Sequence, residues 1–200
     1  MNNKYELTNV SIDFWGKKLF QIRAKRSFWS VNKWDLGGYI EKEKNLSASD
    51  NSWVFGNARV YDNARVSENA WVYGDARVYD NAIVSGNASI YDGAWVYGDA
   101  SIYDNARVSG DANIYDNAIV SGDAIVSDNA RVYDNARVFG DACVYGDVRI
   151  YNYAWVYSNA DARINDNAWL KEEKQSITLE LTPEQIKKVR DFINNLYTDS

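Results

Sequence analysis

A six-residue phrase repeats without a gap through the middle of the chain, and no other feature constrains the fold as strongly. It reads NARVYD, NARVSE, NAWVYG and onward, with Val or Ile at every sixth residue from Val54 to Val156. Ala stands two residues before each of these aliphatic residues, except at Ser52 and Val148. A short fixed period is typical of a solenoid, in which stacked coils bury what a single repeat cannot.

Each phrase predicts a short strand followed by a corner. Ala and Val or Ile alternate as on one buried strand face, and the Asn, Asp and Gly that follow tolerate left-handed backbone. Asn at one corner position should stack into a ladder, as at Asn63, Asn81, Asn117 and Asn135. Tyr recurs every 18 residues, at Tyr61, Tyr79, Tyr97, Tyr115, Tyr133 and Tyr151. This spacing favours a three-sided prism with 18 residues per coil and one Tyr face.

The pattern resembles the hexapeptide-repeat, left-handed parallel β-helix superfamily, over residues 46–170. The left hand of the helix is implied by this resemblance alone. The segment LGGYIEKEKNLS (residues 36–47), leading into NSWVFGNARVYDNARV, is similar to uncharacterised hexapeptide-repeat proteins of phages and prophages. The resemblance implies an all-β, three-sided parallel β-helix. A repeat array also needs caps, because an exposed terminal coil is a bare β-edge.

Three regions follow from where the period begins and ends: an N-terminal β cap (1–45), the repeat helix (46–170) and a C-terminal strand with a capping helix (171–200). Within the cap, residues 4–8 and 19–25 predict a hairpin, and five aromatic residues should cover the open first coil: Trp15, Phe20, Phe28, Trp29 and Trp34. The six-residue spacing should already hold at Ile40, Leu46 and Ser52.

At the other end the period resumes two residues late, at Ile164 and Leu170, which predicts a bulged corner over residues 159–161. Residues 177–181 alternate as one more strand. Thr182 and Pro183 then open a helix with an apolar stripe. That helix should fold over the last coil or pack against a second subunit.

The charge is uneven along the chain. Residues 1–45 carry nine Lys and Arg against five Asp and Glu, whereas residues 46–170 carry eight against seventeen. A functional anionic surface would explain the excess of acidic residues in the repeat. The preference of Asp for corner positions would explain it equally. The basic, aromatic cap could contact nucleic acid or be a solvated hairpin, and we expect no binding to duplex DNA.

The cellular compartment is predicted to be the cytoplasm, that of the host if the protein is phage-encoded. The single Cys143 fits a reducing compartment and occupies a variable outward position, as expected of an incidental thiol. The start of the chain lacks an apolar leader, and no apolar run is long enough to span a membrane.

Catalysis is not predicted. The best-known enzymes of the superfamily are acyltransferases with a His base and carbonic anhydrase-like proteins with three His ligands for zinc, yet this chain has no His. A single Cys cannot form a thiolate metal site, and no Gly-rich phosphate motif is present. We therefore expect a protein that is not an enzyme and needs no cofactor or metal.

The outward residues give the best candidate for a binding site. Arg with Tyr and Trp is the composition that interface cores favour. The predicted binding face comprises Arg59, Tyr61, Arg77, Tyr79, Trp95, Tyr97, Tyr115, Arg131, Tyr133, Arg149 and Tyr151. The alternative is that these residues form an ordinary solvent-exposed β-face with no binding role. A second, more apolar candidate carries Ile83, Ile119, Phe139, Trp155 and Tyr157.

Two functions remain open from the sequence. The first is a non-catalytic scaffold, a homo-oligomeric trimer or dimer, that presents the Arg/Tyr/Trp face to itself or to a partner protein. The second is a phage counter-defence protein. It would inhibit a host immune enzyme as an acidic nucleic-acid mimic, or sequester an anionic nucleotide signal. An acyltransferase-like enzyme is a distant third.

Overall fold

A computed structural model describes residues 2–158, together with residues 163–164 and 169–172. The repeats form an all-β parallel solenoid of about seven turns with 18 residues per turn. Three sheets make its walls, and no α-helix is present in the part of the chain that is described. The three-sided architecture predicted from the Tyr spacing is confirmed.

Most strands are two residues long. In chain order they are β1 (Tyr5–Phe14), β2 (Lys17–Ala24), β3 (Leu36–Ile40), β4 (Trp53–Val54), β5 (Arg59–Val60), β6 (Arg65–Val66), β7 (Trp71–Val72), β8 (Arg77–Val78), β9 (Ile83–Val84), β10 (Ser89–Ile90), β11 (Trp95–Val96), β12 (Ser101–Ile102), β13 (Arg107–Val108), β14 (Asn113–Ile114), β15 (Ile119–Val120), β16 (Ile125–Val126), β17 (Arg131–Val132), β18 (Arg137–Gly140), β19 (Cys143–Val144), β20 (Arg149–Asn152), β21 (Trp155–Ser158), β22 (Arg163–Ile164) and β23 (Trp169–Glu172).

Within the repeat, from β4 onward, strands that lie three apart in the chain stack into the same wall. The Tyr wall has the order β1-β2-β3-β5-β8-β11-β14-β17-β20-β23. The second wall runs from β4 through β7, β10, β13, β16 and β19 to β22, and the third wall from β6 through β9, β12, β15 and β18 to β21. Backbone hydrogen bonds join successive coils. For example, the Arg77 amide donates to the Ala94 carbonyl at 2.9 Å.

The core is a column of Ala, Val and Ile that the three walls enclose. The repeat Val and Ile from Val54 to Ile150 are at most 1% exposed, and so are the Ala residues from Ala58 to Ala142. A fully buried side chain of this size contributes roughly 1.5–3 kcal/mol. Because every coil contributes at least three such residues, the stack buries what no single coil could.

Corner geometry explains the Asp and Gly of the repeat. The second residue after each repeat Val or Ile, from Val54 to Ile150, has a positive φ, as at Asp80 (56°) and Gly98 (68°). The Asp80 carboxylate accepts a hydrogen bond from the Gly98 amide of the next coil at 3.2 Å, and four further Asp residues accept such bonds. The corner role predicted for Asp is confirmed at these positions.

The predicted Asn ladder is confirmed at its first step, where Asn63 donates to Asn81 at 3.1 Å. Asn81 then donates to Asp99 at 3.0 Å. A second ladder, not predicted, runs from Asn51 through Asn69, Asn87 and Asn105 to Asp123 at 2.9–3.1 Å. These bonds tie neighbouring coils together at their corners.

The N-terminal hairpin is confirmed, with longer strands than predicted. β1 and β2 pair antiparallel, and β2 pairs with β3, so the hairpin extends the Tyr wall and covers its first edge. Below it Lys4 is fully buried, and its Nζ donates to the Ser47 carbonyl at 2.8 Å and lies 3.3 Å from the Asp50 carboxylate. Burial lowers the pKa of Lys4 to about 8.

The entry into the repeat corrects the sequence prediction. Ile40 and Leu46 pair with Val60 and Val66, twenty residues on, and therefore lie in the columns of large aliphatic residues. Ser52 stands two residues before Val54 in the place of the repeat Ala, so the six-residue step does not hold from Leu46 to Ser52. The first coil has two extra residues.

The late resumption near the C-terminus is confirmed by pairing, because Ile164 lies beside Val144 and Leu170 beside Ile150, again twenty residues apart. The predicted corner at residues 159–161, the strand at 177–181 and the helix from Thr182 lie outside the described residues.

Candidate binding surface

The solenoid brings the eleven predicted face residues together in two adjacent columns of the Tyr wall. The outward column has the register Arg59, Arg77, Trp95, Asn113, Arg131, Arg149. Beside it the Tyr rings stack from Tyr61 to Tyr151, with centroids 4.8–5.2 Å apart and planes within 6° of parallel. Stacking at coil spacing follows from the strict period, since each ring is held above the next.

The tip of the N-terminal hairpin covers the upper part of this wall, which the sequence did not predict. Trp15 packs edge-on against Tyr79 and Trp95, with centroids 6.3 and 5.9 Å apart. Phe14 packs against Tyr61 at 5.9 Å. Trp15 was expected to cover the first coil, and instead it reaches coils further along the stack.

Of the other cap aromatics, Phe28 and Trp29 contact Trp53 and Trp71 of the second wall. Trp34 is 57% exposed and lies near Arg23 and Lys33 of the cap itself. The prediction that all five aromatics cover the first coil is therefore wrong for Trp15, Trp29 and Trp34, because Trp71 lies one coil beyond Trp53 and Trp29 is 66% exposed.

Two arginines lie beneath the hairpin tip with aromatic partners. The Arg59 guanidinium is 4.5 Å from the centre of the Phe14 ring, and that of Arg77 is 4.5 Å from the Trp95 ring and 5.7 Å from the Trp15 ring. The Nε atoms of both arginines are buried without a hydrogen-bond partner. Cation–π attraction, which strengthens with desolvation, offsets part of that cost.

Burial also shapes the acidity of the stacked tyrosines. Loss of solvent raises the pKa of Tyr61, Tyr79 and Tyr97, and it raises the pKa of Tyr115 to about 12. A neighbouring Tyr adds to this rise at Tyr61, Tyr79 and Tyr115, because two adjacent phenolates would repel. The stack is therefore a neutral, hydroxyl-bearing strip at physiological pH.

Beyond the hairpin tip the same two columns continue. We call this part the open surface; its residues are Asn113, Tyr115, Arg131, Tyr133, Arg149 and Tyr151. Arg131 is exposed, and among the described residues it makes no ion pair. Arg149 lies beside it in register, so two like charges are held on adjacent coils. Like charges placed opposite each other on a sheet repel, so the exposed Arg131 is the cation of the open surface that a partner could neutralise.

The second predicted candidate lies on the third wall. Ile83 is 44% exposed, and Ser101 separates it in register from Ile119. Phe139 contacts both Trp155 and Tyr157, with centroids 6.1 and 4.8 Å away. The apolar residues are therefore divided into three parts (Ile83, Ile119, and Phe139 with Trp155 and Tyr157), because Ser101 and Arg137 interrupt the column.

Six stretches of the repeat match the family model described as "YdcK Beta solenoid repeat": residues 58–74, 70–86, 76–92, 100–113, 112–128 and 130–146. The chain is a β-solenoid repeat protein. The matches cover less than half of the chain, and all of them lie within the stacked coils. No curated protein matches this β-solenoid. Its closer resemblance to hexapeptide-repeat and phage proteins stays a prediction.

No group of three or more His, Cys, Asp and Glu side chains is placed to hold a metal ion within residues 2–158 and the described strands after them. In the same residues no helix has the length and apolar character needed to cross a membrane.

Proposed function

We propose that this β-solenoid is a non-catalytic scaffold that self-associates through its open surface. The observation that carries the proposal is the hairpin tip itself. Phe14 and Trp15 show how aromatic side chains pack against the Arg and Tyr columns of this wall, and the open surface repeats those columns without a described cover. A second copy supplies the matching chemistry, since its own Arg and Tyr columns are the same.

The composition of the open surface supports an interface. Tyr and Arg are enriched where binding energy concentrates, because they combine large contact area with directional polar groups. Binding at the flat Tyr stack costs little side-chain conformational entropy, since the rings are already ordered by their neighbours. Self-pairing also allows the Arg131 of one copy to meet the Tyr rings or corner Asp134 of another.

A non-catalytic role is part of the proposal. The chain has no His, the usual base of acyl transfer and the usual zinc ligand in similar proteins. The stacked Tyr residues have raised pKa values, so they are poor bases near neutral pH.

The counter-defence alternative gains less support. An acidic mimic of nucleic acid would need carboxylates that are free to meet a basic partner. Six corner carboxylates here, those of Glu68 and five Asp residues, accept backbone amide hydrogen bonds from the next coil, which gives them a structural role. The mimic stays a prediction without a specific observation in its favour.

The test is sedimentation equilibrium of the wild type and of Arg131→Glu. We expect the wild type to be a dimer or trimer and the variant to associate at least about tenfold more weakly, because an interface Arg typically contributes about 2 kcal/mol or more. Arg107→Glu is the matched control, since Arg107 is an exposed outward residue of the second wall. A monomeric wild type, or equal weakening by the control, would contradict the proposal.

A further inference from the structure

A cleft of about 690 Å³ opens where the chain enters the solenoid, on the side of the third wall. It lies between the 3₁₀-helix Glu43–Asn45 and the first strand of that wall, β6. The residues that line it are Lys42, Glu43, Lys44, Asn45, Asn63, Arg65 and Asn81.

Beyond β6 the third wall has no further strand among the described residues, only the isolated bridge between Leu46 and Val66. The Asn45 side chain takes the place of one, as its Nδ2 donates to the Ala64 carbonyl at 2.9 Å and to the Asp62 carbonyl at 3.1 Å. The cleft is lined by the 3₁₀-helix on one side and by the corner residues Asn63 and Asn81 on the other. Its side chains are held by hydrogen bonds, since Asn45 is buried and bonded to two carbonyls and Asn63 donates to Asn81.

The charge of the cleft is opposite to that of the solenoid around it. Three of its residues are cationic (Lys42, Lys44 and Arg65) and one, Glu43, is anionic. Within the described residues none of the three cations makes an ion pair, and the Lys42 Nζ has only a 3.3 Å contact with the Asn63 side-chain oxygen.

The nearest corner carboxylates do not neutralise these cations. Asp62 binds the Lys17 ammonium, and Glu41 accepts a hydrogen bond from the Asp62 amide at 2.6 Å. Residues 46–170 carry seventeen acidic against eight basic residues, so Asp partners are abundant elsewhere on the surface. The three cations line the cleft with Glu43 as the one carboxylate beside them, so the lining has a net charge of +2, which favours an anion from outside.

We propose that this cleft binds a small anion that carries several phosphate groups. The Arg65 guanidinium offers a planar pair of donors for phosphate oxygens, and Lys42 and Lys44 add point charges at the rim. The volume falls within the range of small-ligand sites, which is about 300–1,000 Å³. No aromatic side chain lines the cleft, so recognition is directed at the phosphate groups and not at a nucleobase.

Isothermal titration with inorganic tripolyphosphate tests the site, comparing the wild type with Arg65→Gln and Lys44→Gln. Each variant is expected to bind at least about tenfold more weakly, since a hydrogen bond to a charged group is among the stronger contacts. The control is Arg107→Gln, which removes an exposed Arg from the second wall and should bind as the wild type does. The wild-type affinity should also fall with rising salt.

ATP serves as a second probe, and it should bind no more tightly than tripolyphosphate because the cleft offers no ring for the base. Absence of tripolyphosphate binding to the wild type at millimolar concentration would overturn the proposal. So would equal loss in Arg107→Gln, which would indicate diffuse attraction, or much tighter binding of ATP. Folding of each variant is checked by its unfolding midpoint. The outcome is independent of self-association, because Arg65 lies on a different wall from the open surface.

Discussion

Ile114→Asp is expected to abolish the folded state. Ile114 is fully buried in strand β14, between Val96 and Val132 of the neighbouring coils. An unpaired carboxylate in that column costs several kcal/mol in desolvation, and the lost aliphatic packing adds about 2 kcal/mol or more. The sum approaches the whole stability of a typical domain, about 5–15 kcal/mol. Circular dichroism and urea titration measure the loss directly.

The adjacent residue provides the matched control. Asn113→Asp adds the same charge to the same strand, but its side chain points outward and is only half-buried. It loses one hydrogen bond to the Asp111 carbonyl, so we expect a change of about 1 kcal/mol or less. Comparable losses in the two variants would mean that inward and outward positions do not alternate as described.

Gly110→Ala is expected to destabilise the solenoid by about 2–5 kcal/mol, which combines left-handed strain with overpacking. Gly110 has a φ of 63°, and a Cβ there would lie 2.7 Å from the Asp128 amide nitrogen and 2.9 Å from its Cα. These are backbone atoms of the next coil, which cannot move without separating the stack. Urea midpoints at unchanged m value report the difference.

Gly56→Ala separates the two costs. Gly56 belongs to the same corner column and has a φ of 56°, but a Cβ there would meet nothing nearer than the Gly74 carbonyl oxygen at 3.8 Å. We expect a loss of only about 1–2 kcal/mol, the cost of the left-handed backbone. Asp92 of that column already carries a side chain at a φ of 57°. An equal loss in both glycine variants would show that close approach between coils is not what selects glycine.

The walls and the Tyr stack could be predicted from the sequence because the period is strict. Once Val returns every six residues, three sides place Tyr61 beneath Tyr79 and Arg59 beneath Arg77 with no further assumption. In each repeat the small and aliphatic residues stand where the core needs them, and the turn-forming residues stand at the corners. Local and global preferences therefore favour the same fold.

The features that the sequence did not predict lie where the six-residue period is broken. The position of the hairpin tip depends on a two-residue turn, in which Trp15 and Gly16 have φ values of 48° and 74°. A Gly flanked by two alternating strands was the available signal for that turn. The basic cleft depends on the 3₁₀-helix Glu43–Asn45, which lies before the regular repeat and which the six-residue spacing does not predict.

A disulfide between successive coils tests the account most directly. Ile125 pairs in register with the native Cys143, 18 residues on, and adjacent strands lie about 4.8 Å apart, within the range that a disulfide spans. Ile125→Cys should therefore form an intramolecular disulfide under mild oxidation, while Ile119→Cys and Arg131→Cys, which lie on the other two walls, should not. Bonding of Cys143 to residue 119 or 131 in preference to residue 125 would contradict an 18-residue coil and every surface assigned from it.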